Sequence, residues 1–249
     1  MINTKDAKIA EISGIHAGDG YLRIRASKHE VDISGNIEEK DYYDNHVIPL
    51  FNDLFKIRIK GKFFQPRNTY GFRIHNRNVA NLLIDLGFPN GYKTTKVKIP
   101  EQILNSDNKS LIKRFLRGYF DTDGGLIFSK KPYKFKSNKH YYPIIIFTTV
   151  SKNLVRNLEI IFKKLNLKFC KYIDIRKEKN WNDETIFRFS GIKNLNFFIN
   201  KIGIKNPSKY SRYLIWKKFG FCPPNTTYQQ RKDILSGKLD PNSFYEPIV

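Results

Sequence analysis

The sequence predicts an α+β protein built from two α-β-β-α-β-β-α units that are related by a pseudo-twofold axis. The first observation is a repeated motif, Gly-x-x-x-x-Asp-Gly, found in ISGIHAGDGY (residues 12–21) and in LRGYFDTDGG (residues 116–125). The second is that each copy follows apolar residues at helical spacing and precedes a short run typical of a strand. Two motif helices at an interface, followed by strands that form a saddle, are the simplest architecture with this order.

The glycines inside the motifs predict that the two helices pack directly on each other. Glycine within a helix costs roughly 1 kcal/mol relative to alanine, and close approach of another backbone is its usual compensation at Gly14 and Gly118. If the helices are parallel, Asp19 and Asp123 meet where the negative ends of two helix dipoles also meet. Like charges this close raise each other's pKa, and divalent cations with oxygen ligands would relieve both problems. A single copy would be explained by an ordinary helix end with a glycine cap.

Apolar periodicity places the remaining elements of the first unit. Leu22 and Ile24 alternate with basic residues, and Val31 and Ile33 continue the alternation after a turn at Lys28. The predicted elements are strands at 21–27 and around 31–33, a helix at 40–55 despite its proline, a strand pair at 56–62 and 69–75, and a helix at 78–86. The polar stretch 87–96 is predicted to be a connector.

The second half repeats this order. Its predicted elements are a motif helix capped by Ser110, strands at 126–129 and 142–149, a helix at 153–165, strands at 170–176 and 185–190, and a helix at 194–202. GFRIHN (71–76) matches IFRFSG (186–191), which pairs Arg73 with Arg188 and indicates a duplication. The predicted boundaries are 1–100 for the first unit, 101–222 for the second, and 223–249 for a C-terminal extension. A further helix is predicted at 210–219, and the extension is expected to be disordered or packed on the surface, with no assigned role.

The charge of the chain predicts a polyanionic partner. Among 249 residues there are 45 Lys and Arg against 23 Asp and Glu, a formal net charge of +22. The 14% aromatic content and the regular apolar spacing argue against a disordered basic tail. Cys170 and Cys222 form no CxxC pair, which argues against zinc and against a disulfide framework. The longest apolar run, 141–147, is too short for a bilayer, and no signal core opens the chain. An intracellular protein of cytoplasm, nucleoid or organelle matrix, with no membrane partner, is expected.

The paired motif resembles that of the LAGLIDADG homing endonucleases in their single-chain form with two copies. The second copy, LRGYFDTDG, is the closer match. The first has His16 and Ala17 where the family motif has apolar and acidic residues, but it keeps Gly14, Asp19 and Gly20. The resemblance covers about residues 5–205.

The resemblance implies a monomeric, site-specific double-strand DNA endonuclease encoded by an intron or intein-like mobile element. It implies metal-dependent phosphodiester hydrolysis across the minor groove of a long recognition site, leaving 3′ overhangs, with Mg²⁺ or another divalent cation such as Mn²⁺ or Ca²⁺. In the family the last acidic residue of each copy binds metal, which points to Asp19 and Asp123, while Asp121 is implied to be structural. The predicted metal site also includes Gly18 and Thr122.

The resemblance further implies a basic residue near each metal, for which Lys60 and Lys193 are the candidates. Basic residues that lie opposite the apolar positions of their strands are predicted to contact DNA in the major groove, although a solvated sheet face would show the same alternation. The predicted DNA-binding residues are Tyr21, Arg23, Arg25, Lys28, Lys56, Arg58, Lys60, Arg73, His75, Lys130, Arg176 and Arg188. Contacts with several phosphates would make affinity fall steeply as salt rises.

Two other functions remain open from the sequence. The first is binding without cleavage on the same fold, either as an RNA maturase with intron RNA as its partner or as a DNA-binding protein. Loss of a motif aspartate would favour it, yet both Asp19 and Asp123 are present, and maturase activity could coexist with cleavage. The second is a basic structural protein of a ribonucleoprotein, which would need no paired acids on paired helices.

Overall fold

In a computed structural model the chain forms two four-stranded antiparallel sheets with the predicted order of elements, described for residues 6–131, 138–175 and 182–245. The strand orders are β1-β2-β4-β3 in the first unit and β5-β6-β8-β7 in the second, so the two sheets have the same topology. The predicted pair of pseudo-symmetric α+β units is confirmed.

The first unit follows the predicted order closely. Its elements are α1 (Ala7–Asp19), β1 (Gly20–Arg25), β2 (Lys28–Asn36), a 3₁₀ turn (Ile37–Glu39), α2 (Lys40–Tyr42), a π-helical stretch (Tyr43–Val47), α3 (Ile48–Phe55), β3 (Lys62–Phe64), β4 (Thr69–His75) and α4 (Arg77–Asp85). The predicted helix over 40–55 is therefore one helical segment interrupted by a wider turn. That turn places Pro49 in the first turn of α3, where a missing N–H is tolerated.

The second unit repeats the same elements after a short linking helix. They are α5 (Glu101–Leu104), α6 (Lys109–Asp123), β5 (Gly124–Ser129), β6 (Tyr142–Thr149), α7 (Lys152–Lys164), β7 (Cys170–Asp174), β8 (Glu184–Ser190), α8 (Ile192–Phe197) and a π-helical stretch (Phe198–Ile202). Two further helices follow, α9 (Pro207–Phe219) and α10 (Tyr228–Ser236).

Three local predictions were wrong. Residues 57–61 are not a strand, because the left-handed Lys56 ends α3 and the Ile59 N–H is taken by the Asn52 side chain at 2.8 Å. The strand lies instead at Lys62–Phe64. The N-cap of α6 is Asn108, whose side chain accepts from the Ser110 N–H, so Ser110 is inside the helix. The β1–β2 turn is at residues 26–27.

Helices α1 and α6 pack on each other at their glycines, as predicted. A Cβ added to Gly14 would lie 2.7 Å from the Tyr119 backbone nitrogen, and one added to Gly118 would lie 2.9 Å from that of Ile15. Only glycine allows this approach, since such distances are far inside van der Waals contact. The backbones of the two units therefore touch along this seam.

A buried ion pair crosses the same seam. Glu11 of α1, which is 1% exposed, accepts from Arg117 Nε at 2.9 Å and from Arg114 Nη1 at 3.1 Å, both on α6. His46 lies 2.6 Å from the same carboxylate. Burial raises the pKa of Glu11, but the hydrogen bond from His46 and the charge of Arg117 outweigh it, so the pKa is lower than usual.

Each sheet has an apolar face that packs on helices and an opposite face that is open. In the first unit Leu22, Ile33 and Phe72 are in the core, while Tyr21, Arg25 and His75 are exposed. None of the helices in the described parts of the chain has the length and apolar character that crossing a bilayer requires.

Candidate metal and nucleic-acid site

The two motif aspartates come together at the ends of α1 and α6. Each is the last residue of its helix, and each following glycine begins a strand. The helix ends are in direct contact, because a Cβ added to Gly18 would lie 2.7 Å from Thr122 Cβ and 3.2 Å from Asp123 Cγ. The site therefore lies at the seam between the units, where α1 leads into β1 and α6 leads into β5.

Both carboxylates have raised pKa values, and the charge of Asp123 disfavours the ionisation of Asp19. Burial raises the pKa of Asp19 to about 8, and the charges of Asp123 and Glu39 contribute to the increase. Burial also raises the pKa of Asp123, against the opposing charges of Lys93 and Lys209. Asp123 is nevertheless exposed and Asp19 half-exposed, so protein surrounds the pair without closing over it. The carboxylates remain accessible to ions and to a large ligand.

Two lysines, one from the loop after α4 and one from the first turn of α9, hold the helix ends. Lys93 Nζ donates to the carbonyl oxygens of Ala17 at 2.7 Å and Gly18 at 2.5 Å. Lys209 Nζ donates to those of Phe120 at 2.9 Å and Thr122 at 2.5 Å. Each ammonium group thus lies at the negative end of a motif helix, where a cation is most favourable.

The two lysines predicted to lie near the metals, Lys60 and Lys193, make none of the contacts described above. Lys60 is exposed in the segment before β3 and Lys193 is exposed on α8. The ammonium groups that influence the pKa values of Asp19 and Asp123 belong to Lys93 and Lys209 instead. Lys93 lies in the loop after α4 and Lys209 lies in the first turn of α9, so no shared sequence pattern distinguishes them from the other lysines.

Gly18 and Thr122 were also predicted to belong to the metal site. In the structure their carbonyl oxygens accept from Lys93 and Lys209. A carbonyl oxygen has a second lone pair, so this contact leaves one acceptor position at each. Among the described residues, no three His, Cys, Asp or Glu side chains form a group that could hold a metal ion. The carboxylate pair, with its raised pKa values and oxygen donors, fits a hard divalent cation such as Mg²⁺.

Tyr43 and Gly35 shape the surroundings of the Asp19 carboxylate, and neither was predicted from the sequence to do so. Tyr43 donates its hydroxyl hydrogen to Asp19 Oδ2 at 2.5 Å. A Cβ on Gly35 would lie 2.6 Å from Asp19 Oδ2 and 2.9 Å from both Glu39 Oε2 and Tyr43 Oη. Gly35 therefore provides the space in which these three polar groups gather.

Asp121 is fully buried and holds the chain that follows the second unit, consistent with the structural role that the resemblance implied. Its carboxylate accepts from the backbone N–H groups of Lys205 at 2.9 Å and Asn206 at 3.2 Å. Burial raises the pKa of Asp121 to about 7 despite these bonds. The Asn206 amide donates to Asp121 O at 2.8 Å and to Glu39 Oε1 at 2.7 Å, which connects the two units.

The C-terminal extension packs on α9, the helix that contains Lys209. Arg231 of α10 is 2% exposed and donates to the Ser208 carbonyl at 3.1 Å and to Ser211 Oγ at 2.9 Å. It also donates to the Thr226 carbonyl oxygen. The backbone N–H of Tyr228 donates to Glu38 of the first unit at 3.1 Å. The extension therefore fixes α9, and with it Lys209, against both units.

The residues predicted to contact DNA are mostly exposed on the open face of the first sheet or beside it. Arg73 is held by Asp32 at 2.8 Å and by Glu30 at 3.6 Å, and Asp32 also binds Arg67 at 3.1 Å. The exposed or half-exposed residues of the predicted set are Tyr21, Arg23, Arg25, Lys28, Lys56, Arg58, Lys60, Arg73, His75, Lys130 and Arg188. Arg176 lies outside the described residues.

These features define the class of the protein. A model of the LAGLIDADG-like domain matches residues 110–203, which form most of the second unit, and the first unit has the same fold. The chain is a single-chain protein with two units of the LAGLIDADG fold, so the resemblance drawn from the two motifs is confirmed.

Solved structures support the fold across both units. Mesophilic variants of the homing endonuclease I-DmoI match with a TM-score of 0.51 and 16% identity, covering 79% of this chain and 94% of theirs. The complex of I-DmoI with DNA and Mn matches equally well, covering 96% of that chain. Full-length DUF199/WhiA from Thermatoga maritima matches with a TM-score of 0.50 and 13% identity, covering 96% of this chain and 83% of its own. At these identities the likeness shows the fold alone.

A curated relative is much longer than this chain. The Replication factor C small subunit of Methanocaldococcus jannaschii is 26% identical over 210 residues, which are 83% of this chain and 10% of that protein. The chain thus spans about a tenth of the length of this relative.

Proposed function

We propose that the protein is a metal-dependent, site-specific double-strand DNA endonuclease. The observation that carries the proposal is the pair of carboxylates, one from each unit, that meet at an open seam with a lysine on either side. Two carboxylates at the negative ends of helices repel each other unless cations occupy the site, and the net positive charge of the protein suits a polyanionic substrate.

Asp19 and Asp123 would hold the divalent cations, Mg²⁺ first among them. When bound, such cations activate water, neutralise the scissile phosphate and stabilise the leaving 3′ oxygen. The hydroxyl of Tyr43 fixes the orientation of the Asp19 carboxylate. Lys93 and Lys209 keep positive charge at the helix ends, where the phosphates of two strands would lie.

The two sheets would grip the duplex on either side of this seam. The exposed basic residues of β1, β2 and β4 face away from the core, as a major-groove reader requires. Cleavage of both strands across the intervening minor groove, with short 3′ overhangs, is the outcome that we expect. The homing endonuclease I-DmoI, crystallised with DNA and Mn, supports this proposal by its fold.

A genetic origin inside a host gene follows from the same proposal. The curated relative contains the similar stretch as a tenth of a much longer replication protein. An intron or intein-like element that carries an endonuclease would produce such a match.

The test is cleavage of DNA by the intact protein with Mg²⁺. A plasmid carrying the uninterrupted host locus, or a duplex selected from a randomised library by binding, serves as substrate. We expect double-strand cleavage at one site, abolished in Asp123→Asn with binding retained. Asp85→Asn is the matched control, because Asp85 is an exposed aspartate that also ends a helix.

A second candidate function is binding without cleavage, on DNA or intron RNA. One observation favours it: Lys93 and Lys209 already bond to the carbonyl oxygens beside the carboxylates, which neutralises the site without a metal. Tight binding by the unaltered protein, with no cleavage in Mg²⁺ or Mn²⁺, would establish this candidate.

A further inference from the structure

The open faces of the two sheets carry different chemistry at equivalent positions. The strand registers show which positions of the two sheets correspond. The glycine after each motif aspartate pairs with the neighbouring strand, Gly20 with Ile33 in the first sheet and Gly124 with Phe147 in the second. The outward-facing pairs that correspond are Arg23 with Ile127, Glu30 with Ile144, Asp32 with Ile146, Gly71 with Ile186, and Lys62 with Tyr172. At these five positions the second sheet carries isoleucines and a tyrosine, four of which replace charged side chains and one of which replaces Gly71. It also carries Ser129 where the first sheet has Arg25.

The one charged position that both sheets keep has different surroundings. Arg73 lies opposite Asp32 and bonds to it at 2.8 Å. Arg188 lies opposite Ile146, and its guanidinium packs over the Tyr172 ring at 5.6 Å. Its buried Nε has no hydrogen-bond partner among the described residues. The second sheet therefore presents an arginine that lacks the acidic partner of its counterpart.

Two of the apolar residues of this face are exposed and two more are partly accessible. Ile127 is 39% exposed and Tyr172 is 38% exposed, while Ile146 and Ile186 are half-buried and Ile144 is covered. Their strand neighbours Phe128, Phe147 and Phe187 face the opposite side and form the core. Ile127, Ile146 and Ile186 are thus additional to the core, on the side of the sheet where its symmetry mate carries Arg23 and Arg73.

We propose that the second unit recognises its DNA half-site chiefly through thymine methyl groups, which pack on Ile127, Ile146, Ile186 and Tyr172. The major groove offers an apolar group only at thymine, through its C5 methyl, so an apolar strand face selects thymine there. The first unit, with arginines held by Asp32, suits guanine, which accepts from arginine through O6 and N7.

DNA is the occupant that the charge favours. The face continues the saddle whose other half carries Arg23, Arg25 and Arg73, on a protein of net charge +22. It contains Arg188, whose buried Nε has no hydrogen-bond partner in the described part of the chain. A protein partner would not explain why the apolar residues surround Arg188, whose counterpart Arg73 lies on the charged face of the first sheet. The inference rests on the proposed DNA recognition and deepens it to the base composition of one half-site.

The test removes thymine methyl groups one at a time. A duplex is first selected from a randomised library by the intact protein in EDTA, so that binding is measured without cleavage. Each thymine is then replaced by deoxyuridine, and affinities are measured for the unaltered protein, for Ile127→Asn and for the matched first-unit variant Arg23→Ala. We expect each contacted thymine in one half-site to lose about threefold to fourfold in affinity. In Ile127→Asn the loss of affinity on deoxyuridine replacement should be smaller at the thymines that Ile127 contacts. In Arg23→Ala the same replacements should cost as much affinity as in the unaltered protein.

The outcomes separate this inference from the proposed function. If the selected duplex tolerates deoxyuridine at every thymine, or loses affinity equally in both halves, the thymine proposal is wrong while DNA recognition stands. If no duplex is enriched, DNA recognition itself fails, and the inference fails with it.

Discussion

At the scale of single residues, the candidate site is an arrangement of charges that a helix pair would not tolerate without compensation. Asp19 and Asp123 lie at the negative ends of two helices, and both have raised pKa values. Lys93 and Lys209 supply one ammonium group at each end. Burial lowers the pKa of Lys93, and the two carboxylates partly oppose this effect. The lysines are thus part of the site's electrostatics as well as caps for the helices.

Substitution of lysines tests whether Lys93 and Lys209, or instead Lys60 and Lys193, are the basic residues that assist cleavage. Lys93→Met and Lys209→Met should each lower the cleavage rate on the order of 10²-fold, because positive charge beside the reacting phosphate is lost. Lys60→Met and Lys193→Met, at exposed positions, should cleave within a few-fold of the unaltered protein. Single-turnover cleavage at saturating protein measures the effect. The reverse pattern would return the catalytic role to Lys60 and Lys193.

His16 is a buried histidine inside the first motif. Its ring is 1% exposed, packs edge-on against Phe88 at 4.6 Å between centroids, and has no hydrogen-bond partner for either nitrogen among the described residues. Burial and the nearby charge of Lys93 lower the pKa of His16 to about 3. An apolar residue would fill this motif position without the desolvation cost.

We expect His16→Leu to stabilise the protein and to reduce its sensitivity to acid. The unfolded chain binds a proton at His16 below about pH 6.5, whereas the folded chain does not until about pH 3. Stability is therefore lost as pH falls through this window, and the variant should lose less of it. Urea unfolding at pH 7.5 and pH 5 measures the difference. An equal loss of unfolding free energy in both proteins would show that His16 is protonated when folded.

At the scale of elements, the contact between α1 and α6 positions the site. Gly14 and Gly118 bring the backbones together, and Glu11 with Arg117 fixes the register between the helices. Breaking a buried pair of this kind leaves an uncompensated charge, which is why such pairs resist substitution. The carboxylates meet because these helices cannot slide or separate.

Gly14→Ala and Gly118→Ala test this packing. Alanine favours a helix by about 1 kcal/mol, yet each new methyl group would collide with backbone atoms of the partner helix. We expect a net loss of about 2 kcal/mol or more in the free energy of unfolding, together with loss of cleavage. Gly125→Ala is the control, because a Cβ there has no atom within 4 Å. Unchanged stability in Gly14→Ala would mean that the helices are not in backbone contact.

Apolar periodicity predicted the elements well where burial in the core determines the structure. It predicted them less well where a side chain takes the backbone hydrogen bond that strand pairing would use. Residues 57–61 keep the alternation, with Ile59 buried and Arg58 and Lys60 exposed, yet Asn52 takes the hydrogen bond that a strand would have used. The alternation reports burial, and burial alone does not determine backbone pairing.

At the scale of the whole molecule, the C-terminal extension connects the two units at the site. Arg231 holds α9 through Ser208 and Ser211, α9 carries Lys209, and Tyr228 bonds to Glu38 of the first unit. Burial lowers the pKa of Arg231 to about 10, so this side chain is still charged at neutral pH. The extension is therefore a structural part of the site.

Arg231→Met should destabilise the protein by about 3 kcal/mol, since the carbonyl of Ser208 and the hydroxyl of Ser211 lose their donor. Cleavage should also fall at temperatures where the variant remains folded, because Lys209 is no longer fixed. Lys232→Met, at the exposed neighbouring position, is the control. Thermal unfolding and cleavage are measured on the same preparations. Full activity in a destabilised Arg231→Met would limit the extension to a role in folding.

The sequence predicted the duplication, the helix seam and the aspartate pair, because a repeated motif fixes both the local structure and its symmetry. It did not identify Lys93, Lys209, Tyr43 or Glu39, which reach the site from loops and other helices. Their positions depend on how β2 turns into the next helix and how α9 folds back, and no local pattern encodes such contacts. The contrast between the two sheet faces also required the strand registers.

The central claim is that Asp19 and Asp123 share divalent cations at the seam when DNA is bound. The most direct measurement is anomalous diffraction from crystals of the protein with its selected duplex and Mn²⁺. We expect a manganese peak in coordinating contact with both carboxylates, and its loss in Asp123→Asn. A bound duplex with no manganese at the carboxylates, or with Lys93 and Lys209 in its place, would contradict the claim.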